Sequence, residues 1–76
     1  LPATASSDAG ELWAILKLYR GAETADRLAR KLGWNTARVM TAAMELRGYG
    51  LAGISGAFIS PIHPPAAGAG DNKERF

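Results

Sequence analysis

The sequence predicts a mainly α fold, three short helices followed by a small antiparallel β-hairpin, and three observations lead there. Apolar residues recur at three- and four-residue spacing in three successive windows. Each window opens on a capping residue and closes on a glycine. After Gly48 the period drops to two, and the dipeptide Ser55-Gly56 joins two β-like segments as a tight hairpin would.

The first helix is predicted over Ala9 to Arg20. Ser7 or Asp8 serves as N-cap, and Glu11 sits in the first turn, where the helix dipole favours an acid. Leu12, Ile15, Leu16 and Tyr19 make one apolar stripe, Lys17 and Arg20 complement the C-terminal dipole, and Gly21 stops the helix. The second runs from Ala25 to Leu32, with Thr24 as N-cap and Gly33 as terminator. Ala25, Leu28, Ala29 and Leu32 share one side of it, and Arg27, Arg30 and Lys31 share the other. The break Gly33-Trp34-Asn35 leads to a third helix from Thr36 to Arg47, capped by Asn35 and ended by Gly48. Val39, Ala43 and Leu46 face inward, flanked by Met40 or Met44, which sends Arg38, Thr41 and Glu45 outward. The hairpin pairs Leu51–Ile54 with Ala57–Ser60, and Pro61 ends the pairing.

With 76 residues the chain holds one domain at most. It has no cysteine, so disulfides and thiolate metal sites are excluded, and apolar packing alone must build the core. The folded unit is expected over residues 8–62. Residues 1–7 and 63–76 are expected to be disordered flanks, being small, polar or rich in Pro, Ala and Gly without periodicity. The first residues lack a signal-peptide pattern and an initiator methionine, so the chain reads as a fragment of a longer protein. No apolar run approaches the ~20 residues of a membrane span, and a reducing cytoplasmic setting is the expectation, nucleoid-associated if the source is bacterial.

This order of elements resembles the winged helix-turn-helix superfamily over Thr24–Gly33, Val39–Leu46, Gly48 and Gly56-Ala57-Phe58. Around Leu32-Gly33, Met44-Glu45-Leu46 and Gly56-Ala57-Phe58 it is similar to the C-terminal winged-helix domain of bacterial DNA-processing protein A. The resemblance implies a three-helix core plus wing, with the third helix as a recognition helix in the DNA major groove and the hairpin beside the backbone. The wing, Leu51 to Ser60, carries no charge, whereas wings that clamp phosphate carry arginine or lysine. The Z-DNA-binding subclass is rejected, because Met40, Thr41 and Met44 stand where its helix residues would be and Pro64-Pro65 precedes Ala66.

The function expected is therefore a non-enzymatic module of a larger protein that binds double-stranded DNA. Its candidate DNA-binding residues are Arg27, Arg30, Lys31, Trp34, Asn35, Thr36, Arg38 and Thr41. Arg27, Arg30 and Lys31 suit phosphate oxygens, which position without specifying. Arg38 suits guanine, and Asn35 suits adenine if it does not cap its helix instead. Each residue has a second reading. The cationic face can be merely solvated, with Asp26 pairing Arg30 across one turn. Trp34 can pack on the second helix, Met40 and Met44 can fill the core, and His63 can stand exposed and idle.

Catalysis is not expected, since one histidine and the scattered acids Asp8, Glu11, Glu23, Asp26 and Glu45 form no nucleophile–base arrangement. No cofactor and no metal are expected either. Two other binding functions stand beside DNA. The uncharged wing and the Ala/Met content of the third helix suit protein contact, as a homodimer or against other domains of the parent protein. Trp34 and Tyr49 suit stacking on RNA or single-stranded DNA.

Overall fold

The computed structural model of the protein describes residues 1–63. Its first helix, α1 (Ser7–Leu16), begins earlier than the sequence suggests, because Ser6 and not Ser7 or Asp8 is the cap. The Ser6 Oγ accepts the Ala9 N–H at 3.1 Å. Of residues 1–7, expected without structure, Ser7 opens α1 and Ala5 and Ser6 engage the fold, while residues 1–4 are exposed. The Ala5 N–H donates to the Pro2 carbonyl at 3.0 Å, and Ala5 packs on the core.

The end of α1 is a second correction. The helix stops at Leu16, not Arg20, so Lys17 is its C-cap and Arg20 lies beyond its end. Leu18 N–H reaches back to Ile15 and Tyr19 N–H to Leu16, a tightened turn that half-buries Tyr19 and throws Leu18 into solvent, 75% exposed. The chain thus reverses into β1 (Glu23–Thr24), a strand with no signal of its own. It pairs antiparallel with β3 (Phe58–Pro61), Glu23 opposite Ile59 and Thr24 opposite Phe58. Two residues are too few to display a period, and only the edge of the hairpin makes them a strand.

The second helix, α2 (Ala25–Leu32), has the predicted bounds. Thr24 Oγ1 accepts the Arg27 N–H at 3.2 Å, and Gly33 closes the helix in the left-handed region (φ 71°). The third, α3 (Thr36–Gly48), starts as predicted on Asn35, whose Oδ1 accepts the Arg38 N–H at 2.8 Å. Its stop moves from Gly48 to Gly50. Gly50 takes φ 77° and donates to the Arg47 carbonyl, while the Leu51 N–H reaches the Leu46 carbonyl, both at 2.9 Å. That pair of bonds closes a helix only through a left-handed residue, which glycine adopts at least cost.

In the hairpin, β2 (Ala52–Ser55) pairs with β3 through a loop of Gly56 and Ala57, one residue beyond the predicted Ser55-Gly56. Positive φ is needed at the first central position of a type II′ turn, and Gly56 supplies it at 59°. The shift moves Ala57 from the predicted strand into the loop and sets Ile54 opposite Ile59. Pro61 does not end the pairing as expected. It stands opposite Ala52, and the Ile62 N–H still reaches the Leu51 carbonyl at 2.8 Å. Ladder bonds alternate along an antiparallel pair, so Pro61 occupies a position that needs no N–H.

The result is three helices and a three-stranded antiparallel sheet in the order β1-β3-β2. Helix α3 is the hub, packing on α1, α2 and β2. Leu12, Leu16, Leu28, Val39, Leu46 and Ile59 are the largest fully buried side chains, and no polar side chain is buried among the described residues. No helix among them is long and apolar enough to cross a membrane. The predicted tail lies outside the described residues, except for His63, which is exposed as expected. Its Nε2 lies 3.1 Å from the Tyr19 carbonyl, and its ring centroid is 6.5 Å from that of Trp13.

Candidate nucleic-acid interface

Burial of Ala25, Leu28 and Ala29 turns the opposite side of α2 outward, so Arg27, Arg30 and Lys31 are all exposed. The three line a shallow recess of about 350 Å³. Arg27 is held by Glu23, four residues earlier, with Nε 3.4 Å from Oε2. The pair expected between Asp26 and Arg30 does not form. Among the described residues Arg30 and Lys31 have no acidic partner within 4.0 Å.

The turn from α2 to α3 is built by Trp34, whose N–H bonds the Ala29 carbonyl at 2.9 Å and whose half-buried ring packs on the core. One face of the indole is covered by Arg38, with Cζ 4.2 Å from the ring centroid. Arg38 also donates from Nε and Nη2 to the two carboxylate oxygens of Asp8, at 2.9 and 3.0 Å. The hydrogen-bonded Arg38 guanidinium holds the Asp8 carboxyl below its usual pKa, and Asp8 raises that of Arg38 in return. The acids Asp8 and Glu23 were missed as members of this surface. Glu23 was legible as an i,i+4 partner of Arg27, whereas Asp8 lies thirty residues from Arg38 and nothing local announces it.

The remaining candidates are less available than their residue types suggest. The Asn35 Oδ1 is occupied as a cap, which leaves only its amide N–H₂ and removes the two-point match to adenine. The Thr41 hydroxyl donates to the Ala37 carbonyl at 3.0 Å. Thr36 is exposed and borders a larger, mostly apolar groove of about 590 Å³ with Thr24, Ala25, Asp26, Met40, Gly56 and Ala57. Its one charged residue is an acid, so phosphate is favoured at the smaller cationic recess. Opposite its buried side α3 presents Ala37, Thr41, Met44 and Gly48, all exposed and uncharged. Met40 is half-buried against the core, and Met44 is 49% exposed. No group of three His, Cys, Asp or Glu residues that could hold a metal occurs among the described residues.

No family model, curated protein or solved structure matches the chain.

A second acid ties the same helices together. Glu45 of α3 accepts the Ser6 N–H, the Ser6 hydroxyl and the Tyr49 hydroxyl, and these bonds lower its pKa, the Ser6 hydroxyl most. Asp8 and Glu45 thus both bind the start of α1 to α3 as carboxylates. Folded pKa values below the unfolded ones mean that this stabilisation is complete above the ordinary carboxylate range near pH 4 and is lost as pH falls through the lowered values. Urea midpoints are expected to hold steady from neutral pH to about 5 and to fall below about 4. In Glu45→Gln the fall should shrink. An undiminished fall in that variant would show that Glu45 does not carry it.

Proposed function

We propose that the domain is a winged helix-turn-helix module that binds double-stranded DNA without catalysis. The element order and the three-stranded sheet with β1 on its outer edge support the architecture. The observation that carries the binding is the cationic recess of α2, where Arg30 and Lys31 stand exposed without acidic partners among the described residues. Cations on the helix before the recognition helix suit phosphate oxygens. Most of the affinity is then electrostatic, since Asn35 and Thr41 have already spent part of their hydrogen-bonding capacity on their own helix.

Anisotropy of a labelled 20-base-pair duplex at increasing salt tests this. Three phosphate contacts predict a slope of log affinity against log salt of about −3, with dissociation constants on the order of micromolar or weaker at physiological salt. No binding at low salt, or a slope near zero, would remove the reading.

A second reading has its own support. Met44, Phe58 and Ile62 are 49%, 52% and 47% exposed, the outer stripe of α3 is neutral, and the hairpin is uncharged. Exposed apolar and uncharged residues of this kind suit contact with a homodimer partner or a neighbouring domain. A concentration-dependent mass in sedimentation, together with no duplex binding, would select it.

A further inference from the structure

Arg38 is the third residue of α3, near the helix end from which a recognition helix reads base edges. Its pairing with Asp8 looks at first like the loss of a reader. The donor count says otherwise. A guanidinium carries five N–H groups, and Asp8 takes only two of them, one on Nε and one on Nη2. Both hydrogens of Nη1 and the second hydrogen of Nη2 remain, and one hydrogen from each nitrogen makes the end-on fork of the group.

Two contacts orient that fork, on a backbone that a third holds. The carboxylate holds one edge, the Trp34 ring lies against one face at 4.2 Å, and Asn35 anchors the Arg38 backbone N–H. These contacts restrict a long side chain that would otherwise lose more rotamer freedom on binding. The pair stays open to a ligand, with side chains 48% exposed for Arg38 and 34% for Asp8. It is also neutral overall, so it attracts a phosphate weakly, and Asp8 repels one directly. A neutral pair of acceptors at the right spacing suffers no such penalty. Guanine O6 and N7 in the major groove are that pair.

We propose that Arg38 reads guanine through its Nη1–Nη2 edge, with Asp8 and Trp34 as the positioning residues that aim it and Asp8 as a determinant of specificity. This rests on the DNA-binding reading above. It divides the surface in two, with α2 cations holding backbone and the Asp8–Arg38–Trp34 unit selecting a base.

The test compares one 20-base-pair duplex containing guanine at alternate steps with the same duplex containing 7-deazaguanine, which lacks the N7 acceptor but keeps charge and pairing. The wild type should prefer guanine by about fivefold or more, the size of half a two-point contact or better. Arg38→Ala should lose the preference while its salt slope stays near the wild-type value. Asp8→Asn should also lose the preference, yet bind the 7-deazaguanine duplex about two- to threefold more tightly, because a negative charge is gone. A merely structural Asp8 would weaken both duplexes alike. Both positions are at the surface, and circular dichroism of each variant confirms folding. Binding with a slope near −3 but no guanine preference overturns this inference and leaves the DNA reading intact. Preference retained in Asp8→Asn overturns the positioning role. Failure of every duplex to bind removes both.

Discussion

Leu46→Ala is expected to leave the domain largely unfolded at room temperature. Leu46 has no exposed surface, and it sits on the helix that packs against α1, α2 and β2 together. Removing a fully buried leucine side chain costs about 2–5 kcal/mol, part as lost transfer energy and part as the cavity left behind. A core in a domain this small rarely supplies more than about 3–5 kcal/mol, and no disulfide adds to it. The loss is therefore comparable to the whole stability. Urea denaturation followed by circular dichroism should show no cooperative transition, or one displaced to very low urea. Met44→Ala on the same helix, half-exposed, should change stability by only about 0.5 kcal/mol. A cooperative Leu46→Ala variant within about 1 kcal/mol of wild type would mean that α3 is not the centre of the core.

Arg30→Glu with Lys31→Glu should produce the largest change in binding. On the proposed reading the double variant removes two phosphate contacts, and it sets two negative charges in their place. Affinity for a duplex at low salt should fall more than about 100-fold, and the salt slope should shrink from about −3 toward −1. Acids in the last turn of α2 oppose its dipole at about 0.3–1 kcal/mol each, so retention of the fold needs checking by thermal denaturation. The matched control is Lys17→Glu with Arg20→Glu, which changes net charge equally at the end of α1. If both double variants lose binding alike, overall charge and not the α2 face is responsible. If neither loses it, the cationic recess is not the phosphate site.

Helices α2 and α3 begin where the sequence says they begin, because Thr24 and Asn35 act on backbone N–H groups three residues away. Such bonds depend on the local chain alone. The inward faces are equally legible, since Leu28, Val39 and Leu46 follow the helical period. Errors gather where a residue answers to a distant partner. Ser6 replaces Ser7 or Asp8 as the cap of α1 while Glu45, thirty-nine residues away, engages it, and Asp8 is directed to Arg38. The hairpin loop slipped by one residue because Ser55-Gly56 and Gly56-Ala57 are both acceptable turns locally. The pairing of Ile54 with Ile59 distinguishes them.

The candidate surface divides along the same line. That Arg27, Arg30 and Lys31 share an outward face follows from an eight-residue helix with leucine and alanine opposite them, and needs no knowledge of the rest of the molecule. Which cations keep their charge free does not follow. Helix periodicity reaches no further than a turn or two, whereas an ion pair depends on where the fold delivers a carboxylate. The sequence alone therefore determined the helices and the direction in which they turn their cations. Tertiary structure alone brought Asp8 across thirty residues to Arg38, made a strand of Glu23 and Thr24, and left Arg30 and Lys31 as the exposed cations of α2 without a neighbouring acid among the described residues.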